Sequence, residues 1–271
     1  MQQHILFDVR IDDLTDSELE EKLLAWLEFE KGKVIVTTNA EFLLLARRNK
    51  TFQDQLNAAD LSLPDSVSLR YAVAALTDST LHHRHPGVDV LQDLARLCSQ
   101  KNRRLLLLGG APGSAQSTAM GLLQSLPDLQ VVAVDPGHVE FDGTTVNISQ
   151  HTIEQIKDAN PAVVAVALGQ GKQEAFMFQM RVLLPHVRIW IGVGGALDML
   201  SGQKKRAPKA IQRIGLEWVW RLMKEPRRWR RIVNASVVFP FVVVLSTLKA
   251  RRFWKAVSRV FPEVYRQFSE V

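Results

Sequence analysis

The sequence is poor in several things, and each lack narrows its reading. It has one cysteine in 271 residues, Cys98, so the chain cannot form an internal disulfide, and a lone thiol fits a reducing compartment. No cysteine and histidine group has zinc-ligand spacing, so no metal site is expected. The N-terminal MQQHILFDVRIDD is too acidic and too short of apolar residues to read as a signal peptide. There are no internal repeats or low-complexity tracts. No Walker A motif occurs, because the Lys-Ser/Thr pair is missing, and no full GxGxxG is present. A charged fraction of 23% with 46% hydrophobic residues excludes global disorder and supplies a sizeable core.

What is present is divided by charge. Residues 1–200 carry 17 Lys and Arg against 24 Asp and Glu, a net of −7. Residues 201–231 carry 11 against two, with three Trp among them, and residues 232–271 carry six against two. An acidic body with a basic C-terminal quarter points to a membrane or a polyanion as the tail's partner.

Along the acidic body, short apolar runs alternate with helical patterns. KVIVTT (33–38), RRLLLLGG (103–110), QVVAV (130–134), AVVAVALG (162–169) and VRIWIGVGG (187–195) read as strands, each closing on turn residues or glycine. The spacing predicts helices over 40–56, 113–126 and 171–184. This pattern implies an α/β fold, a mainly parallel sheet with helices on both faces. Ligands of such sheets bind beyond the carboxyl ends of the strands. The first candidates are therefore Thr37-Thr38-Asn39, Pro64-Asp65, Gly109-Gly110, Gly169-Gln170-Gly171 and Gly194-Gly195.

Beyond the sheet, 207–225 is helix-like, with Leu216, Val219, Trp220 and Met223 on one side. IVNASVVFPFVVVLSTL (232–248) runs seventeen residues without charge between Arg231 and Lys249. A spanning helix needs about 20 apolar residues, and Pro240 is expected to break this one. An interfacial segment is the favoured reading over a spanning one. A basic, aromatic, amphipathic stretch follows over 248–268. The domains read as a catalytic unit, 1–203, and a helical, basic, membrane-associating appendage, 204–271.

Several candidate residues have a plain alternative. Asp65 could take a proton from a hydroxyl nucleophile, or could cap the next helix. Thr37 and Asn39 could hydrogen-bond sugar hydroxyls, or Asn39 could cap the 40–56 helix. The turn in LLLLGGAPGSAQ (105–116) could offer amides and a helix N-terminus to pyrophosphate, or be a tight turn without ligand. In HHRHPGVDV (82–90), His82 and His83 read as solvated loop, while Arg84 could neutralise a phosphate. LGQGKQEAF (168–176) and GVGGALDMLSGQKKRAP (192–208) are hard to explain as core or capping.

Taken in order, TTNAEF, ADLSLPDS, RHPGVD, LLLGGAPG, LGQGKQE, GVGGALDMLSGQKKRAP and GLEWVWRLMKEPRRWRR resemble the WecG/TagA/CpsF glycosyltransferases, over about residues 33–231. The resemblance implies transfer of an N-acetylmannosamine-type sugar from a UDP donor to a polyprenyl-diphosphate-linked sugar, in bacterial surface-polysaccharide or teichoic acid synthesis. It implies Asp65 as general base, with Thr37 and Asn39 close to it, Arg84 on the diphosphate and Gln173 in the pocket. Gly109, Gly110, Gly113, Gly195 and Asp198 fall on the UDP side. Arg221, Arg228 and Arg231 fall where an appendage closes over the site and meets the membrane. It also implies no cofactor or metal, no nucleic-acid partner, and a peripheral place on the cytoplasmic face of the inner membrane. The sequence departs from the family at Ser66, where Gly is usual, at Gly171, where Pro is usual, and at His138, where Tyr is common. A nucleotide-dependent oxidoreductase on the same sheet would need a dinucleotide fingerprint that is missing. A non-enzymatic module binding DNA or membrane through the tail is the other alternative.

Overall fold

A computed structural model describes residues 1–202 and 229–269, with side chains to 266. The expected 207–225 helix and the 203/204 domain boundary lie outside the described residues.

The chain opens with an antiparallel hairpin, β1 (Gln2–Leu6) and β2 (Val9–Asp13), then α1 (Asp16–Phe29). There follow β3 (Lys33–Thr38), α2 (Ala40–Ala46), α3 (Lys50–Ala58), β4 (Leu61–Pro64), α4 (Val67–Leu76), α5 (Gly87–Gln100), β5 (Arg104–Gly109), α6 (Ser114–Ser125) and β6 (Gln130–Val134). A two-residue-strand hairpin, β7 (Glu140–Phe141) and β8 (Val146–Asn147), leads to α7 (Gln150–Ala159), β9 (Val163–Ala167), α8 (Lys172–Leu183), β10 (Ile189–Gly192) and α9 (Ala196–Leu200). Two C-terminal helices complete the described chain, α10 (Trp229–Lys249) and α11 (Phe253–Ser269).

Every apolar run named above becomes a strand of one sheet, order β4-β3-β10-β9-β5-β6, in which all pairs are parallel. Alternation explains why these runs are apolar throughout. Val34, Val36, Leu106, Leu108, Val164, Val166 and Trp190 point into one core; Ile35, Leu61, Leu63, Leu105, Leu107, Ile189 and Ile191 point into the other. Strands buried on both faces have no room for polar alternation. The chain moves outward from β3 to β4 on one side and from β5 to β6 on the other. The crevice between those halves lies at the carboxyl ends of β3, β10 and β9.

Two expectations need correction. The 40–56 helix is two helices, α2 and α3. Asn49 accepts the Phe52 N–H at 3.0 Å and starts a second helix, a local side-chain bond that competes with continuing the first. The break expected at Pro240 is also absent, because α10 runs through it. Proline cannot donate an N–H, and the ladder adapts by a π turn over Asn234–Val238, with the Phe239 N–H reaching Asn234 O. The resulting 21-residue helix is long and apolar enough to cross a membrane. It nevertheless lies along α2 and α4, burying Phe239, Val243 and Thr247 there.

Arginines fasten α11 to α4 in antiparallel sense. Arg252 donates to Thr77 O at 2.8 Å and to Asp78, and Arg259 donates to Ala74 O and Ser79 O. They satisfy carbonyls that the end of α4 leaves open.

Candidate active site

Asp65 follows the last residue of β4, on the edge of the sheet. Its own N–H donates to Thr38 O at 2.8 Å, which ties it to the end of β3. Its Oδ1 accepts the Gly87 N–H at 3.1 Å, at the start of α5. The α4 cap position belongs to Ser66, whose hydroxyl makes no capping bond, so Asp65 does not cap the helix that follows it but accepts the first N–H of α5. The carboxylate is turned toward α5. Thr37 lies beside it: its methyl and hydroxyl both stand 3.3 Å from where a Cβ on Gly87 would be. Any larger residue at 87 would push Thr37 away. Thr37 Oγ1 donates to Gly192 O at 2.8 Å and so joins the ends of β3 and β10. Asn39 caps α2, accepting from the N–H groups of Glu41 and Phe42.

At the end of β9, Gly171 starts α8 and aims its first turn into the crevice. Gln173, 1% exposed, accepts the Gly194 N–H on Oε1 at 3.0 Å and donates from Nε2 to Glu174 Oε1 at 2.7 Å. Those two bonds fix which way its amide points. Glu174 is wholly buried and accepts the Gly171 N–H at 2.7 Å on its other oxygen. Burial pushes its carboxyl up to about 7, against the pull of the Gln173 and Gly171 hydrogen bonds. Hydrogen bonds thus link Glu174 through Gln173 and the 192–194 turn to Thr37, and Thr37 packs against Gly87, which bonds Asp65.

The glycine turn stands at the far side, after β5. Gly109, Gly110 and Gly113 all have positive φ. A Cβ on Gly109 would sit 2.9 Å from Ala167 O, so the strand ends β5 and β9 close here only because side chains are missing. Gly113 starts α6 without a side-chain cap. Asp198, in the first turn of α9 after Gly195, accepts from Ala111 N at 2.8 Å and Ser114 Oγ at 3.0 Å. Its carboxylate braces the turn from behind, and the Ala111 amide and Ser114 hydroxyl it occupies are donors a phosphate cannot use. Four strand spacings, about 19 Å at the usual separation, part Asp65 from this turn, a span suited to an extended substrate.

The remaining arginines divide. Arg84 is exposed and lines a recess beside Asp16, Glu20, Asp89 and Asp93. That acidic setting is on the α1 and α5 side. The histidine loop is held structurally: Asp13 accepts from the backbone N–H of His82 and His83 and from His83 Nδ1. Burial opposes its charge, but hydrogen bonds from His4, His82 and His83 outweigh it and hold its carboxyl well below the usual range. Arg231 reaches the rim of the crevice, where its guanidinium pairs with Glu41 at 2.9–3.2 Å. Gln170 donates to Glu41 O, from the neighbouring loop. Arg221 and Arg228 lie outside the described residues. Sequence reasoning missed Gly87 and Glu174. The RHPGVD and LGQGKQE motifs contain them, but only the fold shows that Gly87 donates to Asp65 and that Glu174 is enclosed.

The profile described as the glycosyl transferase WecG/TagA/CpsF family matches residues 4–253. The chain belongs to this family. It is a glycosyltransferase. Over 209 residues it is 32% identical to the N-acetylglucosaminyldiphosphoundecaprenol N-acetyl-beta-D-mannosaminyltransferase of Bacillus subtilis (strain 168), covering 77% of this chain and 78% of that one. Over 226 residues it is 31% identical to the protein of the same name from Bacillus spizizenii (strain ATCC 23059 / NRRL B-14472 / W23), covering 82% and 84%. Two departures from the WecG/TagA/CpsF pattern gain a physical meaning. Ser66 has φ −116°, so a glycine is not required there. Gly171 has φ +83°, a conformation closed to proline, and it gives Glu174 an N–H that proline lacks.

Proposed function

We propose that this glycosyltransferase moves an N-acetylmannosamine-type sugar from UDP to N-acetylglucosamine carried on a polyprenyl diphosphate. The observation that carries this reading is Asp65, fixed by Gly87 at the crevice edge beside Thr37, with the glycine turn across the crevice. The acceptor hydroxyl oxygen attacks the anomeric carbon as the bond to UDP breaks. The bonding pair leaves with UDP, the hydroxyl proton passes to Asp65, and the single displacement inverts the anomeric centre. The donor diphosphate lies toward the glycine turn and the start of α6, where amides and the helix N-terminus favour an anion. Arg231 enters from the rim by exchanging Glu41 for phosphate, and no metal takes part. The relatives' names support the acceptor, a diphosphoundecaprenol-linked N-acetylglucosamine.

The enzyme works as a peripheral protein on the cytoplasmic face of the membrane. Exposed Phe241, Leu248, Trp254, Phe261 and Tyr265 on α10 and α11, among exposed Arg230, Lys249, Arg251 and Lys255, support this placement. The test is incubation of the full chain with UDP-sugars and a lipid-diphosphate N-acetylglucosamine. Transfer from UDP-N-acetylmannosamine, unchanged by EDTA and reduced about 100- to 10,000-fold by Asp65→Asn, is the expected result. Full activity in Asp65→Asn would remove the base from the reading, and no transfer from any UDP-sugar would remove the reading itself.

A further inference from the structure

The hairpin formed by α10 and α11 grips α4 and leaves a slot along it. The slot has a volume of about 400 Å³, within the range of small-ligand sites. Along α4 and α11 it is lined by the small residues Ser68, Ala72, Ala75 and Ala256, with Tyr71 among them. Its walls are aliphatic and aromatic, with Pro240 and Val244 on one arm and Val257 and Phe261 on the other. A bilayer can cover the outer faces of these helices but cannot enter a slot between them. A single hydrocarbon chain can.

Direction adds the second argument. Beyond the far end, Arg252 bonds Thr77 O at the end of α4. The other end is at Ser68, three residues after Asp65. From Ala75 to Ser68 this lining runs about 10 Å along the helix, toward the carboxyl ends of the strands. On the α10 side the same end leads to Arg231 and Glu41 at the rim of the crevice. We propose that this slot holds the first units of the acceptor's polyprenyl chain, so that α4 carries the lipid on its side and presents its diphosphate-sugar to Asp65 at its start. The proposal rests on the acceptor reading given above. It makes the C-terminal hairpin part of acceptor recognition, a role beyond attachment to the membrane.

The experiment uses the full chain and a photoactivatable geranylgeranyl diphosphate as probe. Adducts are expected on peptides within 67–76, 239–247 and 253–264. Val257→Trp, which fills the slot from one wall, reduces labelling about tenfold; Val244→Trp does the same from the other wall and guards against misfolding of either variant. In the transfer assay both variants raise KM for a long-chain prenyl acceptor about tenfold relative to a short-alkyl one. Adducts elsewhere, labelling unaffected by both variants, or equal labelling by a photoactivatable phosphatidylcholine would each overturn the proposal. Labelling does not require catalysis. Slot labelling without sugar transfer would overturn the proposed reaction and leave the slot standing; transfer with an unchanged KM ratio would do the reverse.

Discussion

Glu174 gives the sharpest quantitative test of the site's construction, because it is a wholly buried carboxyl faced by the Gln173 amide and the Gly171 N–H. Its pKa stands at about 7 in the fold against 4.5 ordinarily. The folded protein therefore holds this proton more tightly than the unfolded chain does. The stability that the group contributes is full below pH 4.5, falls across the window between 4.5 and 7, and is lost above 7. With those two values, linkage gives a loss of about 2.5 kcal/mol between pH 5 and pH 8. Glu174→Gln removes the titration. It also introduces an offset, since its amide must turn an NH2 toward either Gln173 Nε2 or the Gly171 N–H, a donor-to-donor conflict costing about 1–3 kcal/mol. The offset does not depend on pH, and other titrating groups are common to both proteins. Urea unfolding followed by circular dichroism at pH 5, 6, 7 and 8 should thus show the stability difference, wild type minus variant, falling by about 2.5 kcal/mol over that range, or roughly 5 °C in Tm. A difference that stays flat within about 0.5 kcal/mol would refute the buried, proton-holding carboxyl. Such a carboxyl suits this chain in particular, because the glycine at 171 supplies one of its donors.

Gly109→Ala forces a side chain onto φ +89° and against Ala167 O at 2.9 Å; a loss of about 2 kcal/mol or more in urea unfolding is expected. Asp198→Ala removes the shared acceptor of Ala111 N–H and Ser114 Oγ–H, which should cost about 1–3 kcal/mol and raise KM for the UDP donor more than it lowers kcat, measured by steady-state kinetics. Arg252→Ala with Arg259→Ala takes away the donors that hold α11 on Ala74, Thr77 and Ser79; limited trypsin digestion should release the C-terminal helix sooner while the sheet domain stays intact.

The sheet was legible because its strands are apolar on both faces and close on glycine or turn residues, a pattern set by local chemistry. The first hairpin was not, since its turn uses Phe7 and Asp8 at positive φ rather than the glycine or asparagine that marks such turns. The site was legible as a set of strand ends but not as a set of roles, and three aspartates show why. Asp13, Asp65 and Asp198 each lie at a strand end or in the turn after one, and each accepts an N–H from a loop far along the chain: His82 and His83, Gly87, and Ala111 respectively. By composition and position each could be a cap, a brace or a base. Only packing separates them. Asp13 and Asp198 are buried, 4% and 5% exposed, and their oxygens face the loops they hold. Asp65 makes the same kind of contact at the edge of the sheet while remaining only half-buried. A brace works best when it is enclosed, and a base must be reached by substrate. The family motif singles out Asp65 from the sequence, and the difference in enclosure is the physical ground on which the proposed role of base goes to Asp65 rather than to the other two.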